Sequence, residues 1–159
     1  MDHLTRKQRS ANMAAVRGYD TRPERLVRRV LFGLGYRYRL HAPGLPGRPD
    51  IAIPKWRRVI FVHGCFWHGH ACPRGSTPST NVTFWRAKIG GNKVRDQRVQ
   101  RRLRRDGWRV LVIWECETRD VPRLQGRLRR FLEGTSAQNA PRPRAALGEG
   151  CPSPRLRGG

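Results

Sequence analysis

Five side chains able to bind a metal or transfer a proton lie within ten residues near the middle of the chain: His63, Cys65, His68, His70 and Cys72. Zn²⁺ in proteins prefers four thiolate or imidazole ligands in a tetrahedron. Cys65, His70 and Cys72 can come from one loop. The fourth ligand could be Cys116, at the end of a predicted strand. The pattern predicts a structural zinc site; the alternative is buried cysteines beside unrelated surface histidines.

Two of these histidines, His63 and His68, fall outside a four-ligand zinc site. A lone histidine is usually structural or merely exposed. Two histidines that flank a metal-binding loop, in a very basic chain, are better candidates for general acid–base catalysis.

Three carboxylates are candidate partners for this chemistry, and each also has a plainer explanation. Asp50 opens a predicted strand, where its carboxylate could bind a hard cation, or it is an ordinary turn residue. Glu24 has the spacing from Thr21 that a capping box requires. Asp96 stands among Lys and Arg residues of a helical segment and could simply form an intrahelical salt bridge.

Three aromatic residues, Phe66, Trp67 and Trp85, lie in or beside these polar loops rather than at periodic core positions. Proteins that deform duplex DNA push apolar side chains of this kind between base steps. The alternative is that the aromatic rings pack beneath the zinc loop.

The elements that must position these residues predict a mixed α/β domain over residues 21–133. A helix follows Thr21 and ends at Gly35, and another covers about 121–133. Helical patterns also cover about 82–89 and 92–106. Strands are predicted at 36–40, 50–53, 58–62 and 108–115, the last a continuous apolar run suited to the centre of a sheet. The prediction is a central sheet flanked by helices.

The charge of the chain indicates a polyanionic partner. Lys and Arg total 34 against 11 Asp and Glu, for a net charge of +23. A surface of this kind attracts phosphate and releases counterions on binding. No apolar run is long enough to span a membrane, the first residues lack the apolar stretch of a signal peptide, and the Cys/His pattern is typical of a reducing cytoplasm.

Two segments lie outside the predicted domain. Residues 1–20 are polar and basic. Residues 134–159 are rich in Pro, Gly, Ala, Ser and Arg without periodicity, which predicts a disordered tail with an unpaired Cys151.

Segments along most of the chain resemble the very short patch repair (Vsr) mismatch endonucleases. The similarity runs from about residue 7 to 133. It includes Asn12-Met13, Thr21 with Glu24, LPGRPD at 45–50, VIFVHGCFWH at 59–68, TFW at 83–85, Lys88 to Asp96, GWRVL from 107, and WEC at 114–116. The run HGCFWH is highly specific to the family.

The resemblance implies a variant of the PD-(D/E)xK nuclease fold with an added structural zinc site. It also implies a catalytic Mg²⁺ held by Asp50 and the main-chain carbonyl of Val62, a position where the best-known members have Thr. Glu24 would support the water shell of the metal. A second departure is Gly69, at a position often occupied by His.

The resemblance further implies the roles of the remaining site residues. His68 would activate the attacking water with Asp96 beside it, and His63 would contact the scissile phosphate. Zinc would be bound by Cys65, His70, Cys72 and Cys116. A basic segment over residues 1–20 would contact DNA. The side chains inserted into the DNA beside the mismatch would be Met13, Phe66, Trp67 and Trp85.

The substrate implied by the family is double-stranded DNA with a T:G mismatch, nicked on one strand 5′ to the T. Such mismatches arise where a cytosine-5 methyltransferase works and 5-methylcytosine deaminates, so a methyltransferase system and other mismatch-repair proteins are expected partners of a monomeric enzyme. Three alternatives remain from the residues alone: a non-catalytic zinc-dependent DNA-binding protein, a basic RNA-associated protein, and a restriction-type nuclease of the same fold.

Overall fold

A computed structural model describes residues 18–134, which form one four-stranded sheet covered by helices on both faces. The elements in chain order are α1 (Arg22–Gly33), β1 (Arg39–Leu40), β2 (Ile51–Ile53), β3 (Arg58–His63), α2 (Val82–Arg105), β4 (Arg109–Trp114) and α3 (Val121–Glu133). The predicted mixed α/β architecture is confirmed. Met13, Cys151 and the predicted tail from residue 135 onward lie outside the described residues.

The sheet has the strand order β1-β2-β3-β4. β2 is antiparallel to both of its neighbours, whereas β3 and β4 are parallel, with Arg58 opposite Arg109 and His63 opposite Trp114. The prediction that the apolar run at 108–115 forms the central strand is wrong, because β4 is an edge strand within the described part of the chain. The continuous apolar pattern arises because helices cover both of its faces, not because strands flank both of its edges.

Two hydrophobic cores sandwich the sheet. On one face, Val27 and Leu31 of α1 and Leu124 and Leu128 of α3 pack against Ile60 and its neighbours. On the other face, the α2 residue Leu103 packs against Ala52, Val59 and Phe61. The alternation of side chains along β3 therefore directs His63 to the α2 face, the same face as Val59 and Phe61.

Helix α2 is continuous over 24 residues. The prediction of two helices broken near Gly90 and Gly91 is wrong. Each glycine costs about 1 kcal/mol relative to alanine in a helix interior. The buried residues Ile89 and Leu103 anchor the helix before and after the pair, and that packing outweighs the cost. Because the helix continues, Asn92 and Asp96 are carried rigidly to the end of the sheet.

The strand predicted at 36–40 is limited to the two residues of β1, since its partner β2 is only three residues long. Helix α1 begins as predicted, with Thr21 as its N-cap. None of the described helices combines the length and apolar character needed to cross a membrane.

Candidate active site and metal centre

A cleft of about 1380 Å³ opens where β3 ends, between the start of α1 and the middle of α2. The residues that line it include all those predicted to take part in catalysis or to bind the catalytic metal: Glu24, Asp50, Val62, His63, His68 and Asp96. These residues come from five separate segments of the chain, and only the fold brings them together.

Asp50 lies immediately before β2, opposite the end of β3. Its Oδ2 accepts a hydrogen bond of 2.7 Å from the Val62 main-chain N–H. Burial raises the pKa of Asp50 to about 6, while the Val62 bond acts to lower it and the nearby Glu24 carboxylate acts to raise it. A buried carboxylate whose ionised form is disfavoured is a suitable ligand for a divalent cation, because the cation restores the missing charge balance.

Glu24 serves in the capping of α1 and also lines the cleft. Its carboxylate accepts hydrogen bonds of 2.9 Å from the Thr21 hydroxyl, the Asp20 main-chain N–H and the Arg28 guanidinium. The side chain is only 3% exposed. The predicted capping box is present in part: the Thr21 hydroxyl caps the Glu24 N–H, but the Glu24 carboxylate bonds to the Asp20 N–H rather than to that of Thr21. This capping contact coexists with a position beside Asp50 in the cleft.

The two candidate acid–base histidines are stacked on each other. The rings of His63 and His68 are 3.8 Å apart between centroids and 9° from parallel. Nδ1 of His68 is 2.5 Å from Oδ2 of Asp96, whereas the nearest arginine contact of Asp96, to Arg95, is 3.7 Å. The chief partner of Asp96 is therefore His68 rather than a neighbour on its own helix.

The environment of His63 favours its neutral form. Burial, with a further contribution from the adjacent His68, lowers the pKa of His63 to about 4. At neutral pH this imidazole can donate a hydrogen bond without carrying a positive charge.

The second cluster consists of Cys65, His70, Cys72 and Cys116, whose ligand atoms all lie within 4.8 Å of one another. The first three belong to one tight loop, closed by main-chain hydrogen bonds from His70 to Cys65 and from Cys72 to His70. Cys116 lies in the short 3₁₀ helix Glu115–Arg119, which directly follows β4. Because β3 and β4 are parallel, the segments that follow them meet at one edge of the sheet.

The chemistry of this cluster fits a soft divalent metal. Burial raises the pKa of Cys65 to about 12, so a thiolate at this position requires a cation beside it. His70 stacks on Trp114 with a centroid distance of 4.3 Å, which holds its ring next to Cys116. Three thiols and one imidazole form a full tetrahedral ligand set without using His63 or His68.

The three candidate wedge residues form a cluster of their own. Phe66, Trp67 and Trp85 make edge-on contacts with each other at centroid distances of 5.0–6.1 Å. All three are half-buried, and none belongs to the two hydrophobic cores. Phe84, which the sequence reasoning missed, extends this cluster, and its side chain is 59% exposed.

Other cleft residues were also missed. His41 lines the cleft and its main-chain N–H donates to the Asp50 carbonyl. It could have been found from strand register, because antiparallel pairing of Leu40 with Ile51 brings His41 next to Asp50. The further basic residues of the cleft are Arg48, Lys88 and Arg95.

A family model described as DNA mismatch endonuclease Vsr matches residues 1–74. The DNA mismatch endonuclease Vsr of Escherichia coli strain K12 is 44% identical over 137 residues, which cover 82% of this chain and 88% of that protein. The chain belongs to the Vsr family. It is a nuclease, and therefore a hydrolase.

A second relative is the Type II nicking enzyme V.XorIIP of Xanthomonas oryzae pv. oryzae, which is 48% identical over 83% of this chain and 97% of its own length. Among solved structures, the catalytic domain of the homing endonuclease I-Bth0305I matches 72% of this chain and 97% of its own, with a TM-score of 0.50 and 23% identity. This last similarity concerns the fold alone, which is that of a nuclease domain.

The first prediction concerns the effect of the buried Asp50 carboxylate on the stability of the fold. The pKa of Asp in unfolded chains is about 3.9, whereas the pKa of Asp50 in the folded protein is about 6. Because the folded state keeps its proton to higher pH, the stability of the wild type falls as the pH rises between these two values. Asp50→Asn removes that penalty and can still accept from Val62. Without added Mg²⁺ and with no chelator present, the melting temperature of the variant should exceed that of the wild type by more at pH 7.5 than at pH 5. An equal difference at both pH values would contradict this account.

The second prediction concerns the cysteine cluster. Purified protein should contain one Zn²⁺ per chain by elemental analysis, and Cys116→Ala should lose the metal together with thermal stability. Cys151→Ala, which removes a cysteine from outside the cluster, is the matched control and should keep both. Full zinc content in the Cys116 variant would show that another residue completes the site.

Proposed function

We propose that this enzyme nicks one strand of double-stranded DNA 5′ to the T of a T:G mismatch, with Mg²⁺ as its catalytic cofactor. The observation that carries the proposal is the convergence of Asp50 and the His68–Asp96 pair in one cleft. Relatives whose names describe a mismatch endonuclease and a nicking enzyme support the reaction class.

Asp50 would hold the Mg²⁺, together with the main-chain carbonyl of Val62, and Glu24 would bind water molecules around it. When bound, the ion would supply positive charge to the phosphate oxygens and lower the pKa of an attacking water. A carbonyl ligand is unaffected by the presence of Val, rather than Thr, at position 62.

The residues of the cleft supply the proton transfers. His68 faces Asp96 through Nδ1, so in the neutral tautomer with Nδ1 protonated its Nε2 can accept a proton from water. Asp96 fixes that tautomer and stabilises the imidazolium that forms. His63, neutral because of its lowered pKa, would donate a hydrogen bond to the scissile phosphate as negative charge develops on its oxygens.

The cluster of Cys65, His70, Cys72 and Cys116 would hold a structural Zn²⁺. Four protein ligands leave no open coordination position for a substrate or a water. The function of this ion would be to tie the loop that carries His68 to the end of β4.

Recognition of the mismatch would fall to the aromatic cluster and to the basic segment over residues 1–20, which includes Met13. A T:G pair stacks less regularly than a Watson–Crick pair, so separating it costs less. Phe66, Trp67 and Trp85 would therefore insert between the bases more easily at a T:G pair than at a matched pair. We further propose a monomeric enzyme, whose substrates would arise by deamination of 5-methylcytosine left by a methyltransferase.

The third prediction tests the reaction itself, with end-labelled duplexes that carry T:G or T:A at one position. Wild type should nick only the T strand of the mismatched duplex, and only with Mg²⁺. His68→Ala should slow nicking by about 10²–10⁴-fold, the usual contribution of a general base. Asp50→Asn should bind DNA but lose nicking, while Asp106→Asn, at an exposed aspartate that ends α2, should keep it. Equal cleavage of matched and mismatched duplexes would refute the proposed substrate.

The fourth prediction tests the wedge. Trp67→Ala should reduce the preference for T:G over matched duplex more than it reduces overall DNA affinity, which comes from contacts of Lys and Arg with phosphate. If Trp67 were a core residue, its loss would instead cost about 3–5 kcal/mol of stability. Melting temperature and cleavage of both duplexes separate the two cases. Trp56→Ala, at an exposed tryptophan between β2 and β3, is the control. A stable Trp67 variant with an unchanged preference for the T:G duplex would show that Trp67 does not act as a wedge.

A further inference from the structure

Arg28 is a nearly buried arginine of α1 that bridges two carboxylates at the start of this helix. Its side chain is 12% exposed. One terminal nitrogen lies 2.7 Å from Asp20 Oδ1, and the other lies 2.9 Å from Glu24 Oε2. Asp20 precedes α1 and Glu24 lies in its first turn, so the guanidinium joins the entering chain to the helix.

This arrangement differs from an ordinary ion pair on a helix surface. Exposed pairs four residues apart contribute little to stability and do not fix a side chain. Here the paired side chains of Arg28 and Glu24 are only 12% and 3% exposed, and the same guanidinium also bonds to Asp20, whose side chain is 44% exposed. Arg25 offers the contrast on the same helix, since its side chain is 57% exposed and approaches Asp20 only to 3.6 Å.

Three hydrogen bonds fix the orientation of the Glu24 carboxylate. Oε1 accepts from the Thr21 hydroxyl, and Oε2 accepts from the Asp20 main-chain N–H as well as from Arg28. Of these three donors, only Arg28 carries a charge. Without it, the buried Glu24 carboxylate would face the nearby Asp50 carboxylate with no cation bonded to it, and like charges repel more strongly where little water screens them.

We propose that Arg28 is a positioning residue of the nicking reaction, which fixes the Glu24 carboxylate beside Asp50 at the cleft. Arg28 does not line the cleft and acts through Glu24. The inference rests on the proposed function, because it assigns Glu24 a part in the chemistry. Outer residues that orient the groups around a metal commonly contribute about 10–100-fold to activity.

The test compares Arg28→Met with the matched control Arg25→Met in the full-length protein. Single-turnover nicking of the T:G duplex is measured at saturating DNA over a range of Mg²⁺ concentrations, and DNA affinity is measured separately. Arg28→Met should lower the maximal nicking rate by about 10–100-fold with DNA affinity equal to that of Arg25→Met. Arg25→Met should nick within about twofold of wild type, since exposed charges contribute mainly to phosphate attraction.

Two further variants keep the test decisive. Glu24→Gln combined with Arg28→Met should nick no more slowly than Glu24→Gln alone, because both changes act through one carboxylate. Arg28→Lys retains the cation but cannot span both acids, so it should recover only part of the rate; this variant also serves if Arg28→Met does not fold. A Lys variant equal to wild type would overturn the bridging role.

The outcomes separate this inference from the proposed function. Wild type that fails to nick the mismatched duplex removes the proposed function, and this inference with it. Wild type that nicks, with Arg28→Met and Arg25→Met equally active, overturns only the role of Arg28. A rate loss in Arg28→Met that is fully explained by weaker DNA binding overturns it as well.

Discussion

The parallel pairing of β3 with β4 is the constraint on which both clusters depend. The pairing brings the ends of two strands, His63 and Trp114, side by side, although they are separated by the whole of α2 in the chain. The loop after β3 then carries His68 and three of the cysteine-cluster residues, and the segment after β4 brings Cys116. Parallel neighbours require a crossover, and here the crossover helix itself supplies Asp96.

Basic and acidic side chains have different places in this molecule. A chain with a net charge of +23 has few carboxylates, yet Asp20, Glu24, Asp50 and Asp96 are gathered at or beside one cleft. The basic surface attracts the DNA backbone at long range, while the acidic groups at the centre would repel a phosphate at short range. Under the proposed function, a divalent cation in the cleft would resolve this conflict, because its charge would offset the carboxylates where the phosphate would approach.

Much of the site could be read from residue types, because the chemistry of zinc and of general bases restricts the choice of side chain. The Cys/His loop and the two histidines His63 and His68 were identifiable for that reason, whereas the stacking of these two rings was not. Arg28 was not, since one arginine among many has no distinguishing pattern until a fold buries it. The edge position of β4 was missed because a hydrophobic pattern records which faces are covered and carries no information about strand order. The continuity of α2 was missed because glycine propensity is local, whereas the packing of Ile89 and Leu103 is not.

The position of His68 between Cys65 and His70 has a consequence for biochemical work on this enzyme. The loop that would be held by zinc is the same loop that sets the distance from His68 to Asp96. Under the proposed function, a strong chelator such as EDTA would therefore inactivate the enzyme in two ways: it would remove Mg²⁺ from the cleft, and it would release the loop by removing Zn²⁺. Inhibition by EDTA alone does not identify the catalytic ion. Recovery with Mg²⁺ alone would identify it only in samples whose zinc content has been shown to survive the treatment.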